Sequence, residues 1–239
     1  MTRLISAGLM LGAFLAGAAP ATAQTQGFSL SVGYFAPRGE NGRTSGDVLN
    51  ADRCIDTSFL CEPLLFDIKD FGGATFGGEY LIGIGDFIEV GAGVGYYQRT
   101  VPSIYEFVTR PDGSEIDQDL KLRVVPITGT VKVVPTGLHA GIQPYFGAGI
   151  AALRWYYSET GDFVDPVDGS IFRANFASNG TKVAPIIFGG VRGAVGANFM
   201  LGGEVRYQRA EADLSTTDFL GDKIDLGGTT FQATLTWKF

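Results

Sequence analysis

The chain has 239 residues, of which 45% are hydrophobic, 12% aromatic and only 18% charged. Its 25 acidic residues outnumber its 18 basic ones, and no run of Lys or Arg occurs, which excludes a basic surface for nucleic acid. Two Cys and one His cannot by themselves supply the four ligands of a closed structural zinc site. The 35 glycines stand among apolar residues without a collagen-like period, so the chain is neither fibrous nor disordered.

The amino terminus predicts a cleaved secretion signal. Arg3 precedes a short apolar stretch, and a small-x-small cleavage pattern ends at Ala23. We therefore interpret residues 1–23 as a signal peptide and residues 24–239 as the exported domain. A membrane anchor is the alternative, but the apolar stretch is short and no cationic stop-transfer flank follows it.

Beyond residue 24, apolar residues stand at every second position in segments separated by Gly, Asp, Pro and Asn clusters, which is typical of β-strands. Eight segments can be traced, around residues 28–34, 71–82, 88–96, 120–134, 142–150, 187–195, 201–207 and 231–239. Short turns follow the second, fourth and sixth segments, whereas the other connections, near 37–66, 101–119, 158–180 and 210–226, are long. An even strand count with this alternation is typical of a transmembrane β-barrel.

The two faces of the segments differ in chemistry. Aromatic residues stand near both ends of the apolar face, with Tyr34, Tyr96 and Tyr207 at one level and Tyr80, Trp237 and Phe239 at the other. Such levels are typical of interfacial girdles in membrane barrels. The opposite face combines Gly, Ser and Thr with six isolated charges, namely Glu79, Glu89, Arg192, Glu204, Arg206 and Lys238. Three acids and three bases predict an ion-pair network that fills a narrow lumen.

Three segments carry a family resemblance. Glu89–Tyr97, Pro144–Ile150 and the final Phe231–Phe239 resemble strands of the small eight-stranded outer-membrane β-barrel proteins, the OmpA/OmpX-type barrel superfamily of Gram-negative bacteria. The resemblance covers essentially residues 24–239. It implies an all-β fold, an eight-stranded antiparallel up-and-down transmembrane β-barrel with short periplasmic turns and four long extracellular loops.

The same resemblance implies a location and partners. The protein is expected in the cell outer membrane, in contact with lipid and lipopolysaccharide. Phe231, Trp237 and Phe239 on the last strand resemble the signal that the barrel-insertion machinery reads during assembly. The chain stops at Phe239, so we expect no peptidoglycan-binding domain.

Three prolines are unfavourable for the predicted strands. Pro126, Pro144 and Pro185 fall in predicted strands, where the missing N–H interrupts a ladder and a closed barrel offers no edge. We expect Pro126 and Pro185 at barrel rims and Pro144 close to a turn. A position in the middle of the membrane would require a bulge or another register.

Two motifs favour a structural over a chemical interpretation. Gly91, Gly93 and Gly95 occupy alternate strand positions, unlike a dinucleotide-binding loop, and we expect them to make room for lumen side chains. His139 follows a short turn, at the periplasmic rim, whereas the lipid-modifying enzymes of this superfamily use a His near the outer leaflet. We therefore expect neither enzymatic activity nor a cofactor.

The long connections hold the two cysteines and most acidic residues. Cys54 and Cys61, in an exported chain, predict a disulfide. The acids predict a solvated, repulsive surface; the alternative is that they hold Ca²⁺ or Mg²⁺ bridging to lipopolysaccharide phosphates. No loop has the spacing of an EF-hand.

Two functions remain open from the sequence. The first is a structural or surface-interaction barrel with a side-chain-plugged lumen that displays its loops. The second is a narrow channel for small or hydrophobic solutes. They differ in whether the lumen is continuous, and no external partner is indicated.

Overall fold

Antiparallel strands dominate the computed structural model, which describes residues 25–54, 63–165, 167–215 and 218–239. The strands are β1 (Gln26–Pro37), β2 (Leu64–Leu65), β3 (Gly73–Ile84), β4 (Ile88–Thr109), β5 (Glu115–Val133), β6 (Ile142–Val164), β7 (Ile171–Ala194), β8 (Phe199–Gln208), β9 (Glu211–Asp213), β10 (Lys223–Asp225) and β11 (Gly228–Lys238). One short helix, α1 (Val48–Ala51), and two 3-10 turns, Glu40–Gly42 and Ile68–Phe71, lie in the first long connection. The predicted signal peptide, residues 1–23, lies outside the described residues.

Eight strands form a closed antiparallel ring in the order β1, β3, β4, β5, β6, β7, β8 and β11. The ring closes where β1 pairs with β11, from Gly27 opposite Lys238 to Pro37 opposite Gly228. This arrangement confirms the predicted eight-stranded up-and-down barrel. Closure gives the backbone groups of these strands a partner on both sides wherever the ladders are complete.

Apolar side chains on the strands point away from the ring. Leu30, Phe76, Ile150 and Val183 are 54%, 57%, 64% and 66% exposed, and equivalent residues on the other ring strands are similarly open. We call this surface the apolar belt. Aromatic rings pack along its edge where the chain ends, since the Phe239 ring lies 5.0 Å from Trp237 and 6.5 Å from Tyr80 between centroids.

The strands differ strongly in length. β1, β3, β8 and β11 have 12, 12, 10 and 11 residues, whereas β4, β5, β6 and β7 have 22, 19, 23 and 24. We call the end with connections 38–72, 110–114, 165–170 and 209–227 the long-loop end, and the other the short-turn end. At the long-loop end the four long strands continue as a wall of about ten further residues.

Two of the predicted long loops are therefore β-hairpins. Residues 101–119 belong mostly to β4 and β5, and residues 158–180 mostly to β6 and β7. Inward side chains such as Ile116 and Leu120 are fully buried, which stabilises the hairpin beyond the belt. Because polar residues occupy the outward positions of these strand extensions, the segments resemble loops in the sequence.

The three strand prolines lie where a ladder is interrupted or ends. At Pro126 the β4–β5 pairing lapses between Val94 opposite Ile127 and Tyr97 opposite Val124. Pro144 precedes the β5–β6 ladder, which begins at Phe146, and Pro185 lies directly above the last β7–β8 pair. On the other side each proline stands inside a continuous ladder, with Pro126 opposite Leu153, Pro144 opposite Val191 and Pro185 opposite Ile150.

No helix among the described residues is long and apolar enough to cross a membrane.

Candidate functional site

The lumen near the short-turn end is closed by a buried ion pair. Arg192 Nη2 donates to Glu89 Oε1 at 2.9 Å, and the two side chains are only 2% and 3% exposed. Arg192 Nε also donates to Gln143 Oε1 at 2.9 Å. Gln143 in turn accepts from Lys238 Nζ at 3.1 Å, so one amide joins two cations. Leu138, from the short connection, covers this layer with its buried side chain.

A second layer of charges lies above the first. Glu204 Oε1 accepts from Arg206 Nη2 at 2.8 Å, while its Oε2 accepts from the Tyr145 hydroxyl at 3.0 Å. Glu79 Oε2 lies 2.5 Å from Lys132 Nζ. The six predicted lumen charges thus share the inward face, where Glu89 pairs with Arg192 and Glu204 with Arg206.

Lys132 is a further lumen charge that was not predicted from the sequence. It occupies the inward phase of β5 together with Thr128 and Thr130, which is the signal that identifies it. Its ammonium lies 5.6 Å and 5.7 Å from the ring centroids of Tyr145 and Phe188.

Lys238, expected to pair with a carboxylate, instead donates to the Leu138 carbonyl at 2.9 Å, because Glu89 is already engaged by Arg192.

The strand glycines make room for these charges. A Cβ atom on Gly91 would stand 2.5 Å from both Glu79 Oε1 and Thr130 Oγ1, and one on Gly95 would stand 2.9 Å from the Pro126 ring. A side chain at either position would force these neighbours to shift. The alternating glycines are therefore a packing requirement of the lumen, in keeping with the structural interpretation.

A small polar chamber lies within the charged part of the lumen. Its volume is about 80 Å³. Its lining combines hydroxyl groups with the lumen charges, including Ser29, Ser31, Thr128, Thr230, Thr234, Thr236, Glu79, Lys132, Glu204 and Arg206. A chamber of this size holds on the order of six water molecules.

The long-loop end is filled by an apolar core instead of solvent. Val48 and Leu49 of α1 and Phe71 of the second 3-10 turn are 0–1% exposed. They share one cluster with inward wall residues, among them Tyr97, Leu120, Leu122, Val124, Leu153, Trp155, Tyr157 and Ile186. We call the inward-folded parts of connections 38–72 and 209–227 the cap. The cap covers the chamber from above.

A buried arginine clamps the two halves of the cap together. Arg43 donates to both carboxylate oxygens of Asp47, at 2.5 and 2.9 Å, and to the Asp225 carbonyl at 3.0 Å. Asp47 Oδ1 also accepts the Asp225 N–H at 2.7 Å. The Asp225 carboxylate accepts from Arg38 at 2.9 Å. Because Asp47 and Asp225 are 0% and 2% exposed, the prediction that the loop acids are simply solvated is wrong for these residues.

A pair of buried carboxyl groups lies between the cap and the wall. Asp52 follows α1, Glu159 projects inward from β6, and they are 2% and 5% exposed. The Tyr157 hydroxyl donates to Asp52 Oδ2 at 3.4 Å, and Glu159 Oε1 has no hydrogen-bond partner among the described residues. Burial raises the pKa of Glu159 to about 7, and burial together with Glu159 raises the pKa of Asp52 well above its ordinary value.

The remaining candidate residues lie elsewhere. His139 is exposed at the short-turn end, where it lines a pocket together with Gln143 and Lys238. The disulfide between Cys54 and Cys61 stays a prediction, because Cys61 lies outside the described residues. No group of three or more His, Cys, Asp or Glu suited to a metal ion occurs within the described ranges, and the cation-bridging hypothesis also stays a prediction.

Comparisons with known proteins relate the architecture to several solved barrels. The outer membrane protein OprG from Pseudomonas aeruginosa aligns with a TM-score of 0.49 and 11% identity, over 91% of this chain and 96% of that one. Neisserial surface protein A aligns with a TM-score of 0.47 and 14% identity, over 90% and 97%. Ail, the attachment invasion locus protein of Yersinia pestis, gives 0.42 and 13%, over 90% and 99%. No family model and no curated protein matches the sequence.

Proposed function

We propose that the protein is an integral outer-membrane barrel that does not conduct and that presents a folded cap at the cell surface. The observation that carries this proposal is the combination of an apolar exterior with a filled interior. The proposed role is structural or surface-interacting rather than enzymatic.

The apolar belt supports the membrane position. Exposed Leu, Ile, Val and Phe side chains surround the whole ring, whereas water-soluble monomers rarely expose contiguous apolar patches above a few hundred Å². The four shorter ring strands have 10–12 residues, close to the 9–11 that a tilted strand needs to cross a bilayer. The two long connections, 38–72 and 209–227, both lie at one end of the barrel, which favours an outside position for the cap.

The filled lumen supports the absence of conduction. A solute entering from the long-loop end meets the apolar core around Leu49 and Phe71, and one leaving toward the short-turn end meets the Arg192–Glu89 pair. Depriving one member of such a buried ion pair of its partner costs about 3–5 kcal/mol. The chamber between these two barriers has a volume of only about 80 Å³.

The proposed partners follow from the same position. Membrane lipid, including lipopolysaccharide, would cover the apolar belt. The exposed aromatic residues Phe231 and Trp237 on β11, and Phe239 directly after it, would meet the barrel-insertion machinery during assembly.

Conductance across a planar bilayer tests the proposal. We expect purified full-length protein to insert stably and to show no steady conductance, with a trimeric porin in the same membranes as positive control. Arg192→Met is the informative variant, because the apolar cap core should keep it closed. A reproducible open channel in the wild type, altered by Arg192→Met, would contradict the plugged lumen.

The alternative function is a narrow channel for small solutes. It is favoured by one observation, namely that half of the buried residues of the upper barrier belong to the connections and not to the ring strands. Opening would require both the cap and the Arg192–Glu89 layer to move. Conductance that appears only after the cap is released would support this alternative.

A further inference from the structure

We propose that the outer surface of the barrel binds the phosphate group of a membrane lipid between Arg123 and Arg154. The inference rests on the membrane position proposed above. The two arginines lie on neighbouring strands, β5 and β6, and both point away from the lumen. Their register places Arg123 opposite Tyr156, and Arg154 two residues from Tyr156 on the same face.

The level of these arginines coincides with the upper border of the apolar belt. On β6 the outward residues Phe146 and Ile150 are 58% and 64% exposed, and Arg154 is the first charged residue beyond them. On β5 the outward residue Ile127 is 59% exposed, and Arg123 is the first charge on that strand. Acyl chains covering the belt would therefore place their headgroups at this row.

The surface between the arginines is a cleft and not a flat wall. It has a volume of about 290 Å³ and is lined by Tyr96, Arg123, Val125, Arg154, Trp155, Tyr156 and Asn179. Tyr96 and Val125 form an apolar lower border, while the two guanidinium groups and Asn179 are polar. This division suits a ligand with an apolar part below and an anionic part above.

Neither arginine is neutralised by the protein. Among the described residues, Arg123 and Arg154 take part in no ion pair, although most other arginines do. Arg123 instead stacks its guanidinium 5.1 Å from the Tyr156 ring centroid, which fixes its plane. The next outward acid on β5 is Asp119, roughly 13 Å along the strand, and Lys121 lies between them.

The chemistry of the cleft selects phosphate. Guanidinium groups bind phosphate oxygens through paired, charge-assisted hydrogen bonds, and two adjacent groups match the double negative charge of a phosphate monoester. A soluble anion would leave the apolar border uncovered. The geometry therefore points to a lipid headgroup carrying a phosphate monoester, held directly and without a bridging divalent cation.

Native mass spectrometry in phosphatidylcholine nanodiscs tests this assignment. The probes are diphosphoryl lipid A and the same lipid after phosphatase treatment, both with EDTA present. We expect selective retention of the phosphorylated form, reduced about tenfold for each arginine in Arg123→Ala and Arg154→Ala. Arg173→Ala is the matched control, because Arg173 lies on the same wall but far above the belt, with a side chain 81% exposed.

Each other outcome overturns the inference. Equal retention of the two lipids removes the role of phosphate, and retention of the phosphorylated lipid only when EDTA is left out removes the direct contact. Competition by millimolar inorganic phosphate would assign the cleft to a free anion. The membrane position is checked separately by carbonate-resistant insertion into liposomes, so its failure is distinguishable from failure of the cleft.

Discussion

Replacing Arg43 by alanine is expected to release the cap while leaving the barrel folded. The variant leaves the Asp47 carboxylate buried without its cation, because Asp47 is 0% exposed and takes its charge balance from Arg43. Removing one partner of a buried pair costs about 3–5 kcal/mol. The cap is joined to the ring by loops, so this loss falls on cap docking rather than on the β-ladders.

Hydrogen exchange in detergent measures the release. Amides that close the α1 turn, such as Asp52 N–H to the Val48 carbonyl at 2.8 Å, should exchange faster in Arg43→Ala, while amides in the β1–β11 ladder should not. Arg53→Ala is the matched control. Arg53 forms an ion pair with Glu40, and their side chains are 24% and 41% exposed, respectively. Such an exposed pair contributes at most about 1 kcal/mol to stability. Equal exchange in the two variants would show that Arg43 does not hold the cap.

A second step in the same experiment separates charge from packing. Asp47→Asn in the Arg43→Ala background removes the unpaired charge while keeping an oxygen for the Asp225 N–H. We expect this double variant to recover part of the protection at the α1 amides. Absence of any recovery would assign the effect to the lost arginine packing.

The barrel was predictable from sequence because each ring strand carries its own two faces. In β3 and β4, the outward Phe76 and Val94 alternate with inward glycines, and this period of two does not depend on any distant contact. Strand pairing then follows from chain order in an up-and-down ring. The ion pairs in the lumen do not follow from chain order, because whether Glu79 contacts Lys132 or Arg206 depends on strand register and on side-chain length.

The cap was not predictable for a different reason. α1 has only four residues, too few for a helical period, and its buried Val48 and Leu49 stand among polar loop residues. Counting charges along the chain placed Asp47 and Asp52 with the solvated acids. Only the contacts of connection 38–72 with connection 209–227 and the wall reveal that these acids are buried.

Raising the pH from 5 to 8 is expected to loosen the cap through the carboxyl pair Asp52 and Glu159. In the docked cap, burial raises the pKa of Glu159 from its ordinary 4.5 to about 7, and the pKa of Asp52 is raised as well. The groups facing them are the acid Asp47 and the hydroxyls of Tyr157 and Tyr105, and none of these supplies a compensating positive charge.

The sign of the effect follows from the raised pKa. Well below pH 3.8, the ordinary pKa of an aspartic acid, the pair is protonated whether or not the cap is docked, so docking is strongest there. As the pH rises toward 7, the released carboxyl ionises while the docked one resists, and docking weakens. The rise in the Glu159 pKa corresponds to about 3 kcal/mol at high pH.

Hydrogen exchange of the α1 amides, measured as a function of pH, reports this loosening. The rates are first corrected for the intrinsic pH dependence of exchange. Glu159→Gln should flatten the profile between pH 5 and 8, because an amide can donate to Asp52 without ionising. Glu115→Gln makes the same chemical change at an exposed position of the same wall and should leave the profile unchanged. A wild-type profile already flat across this range would show that the carboxyl pair does not govern cap docking.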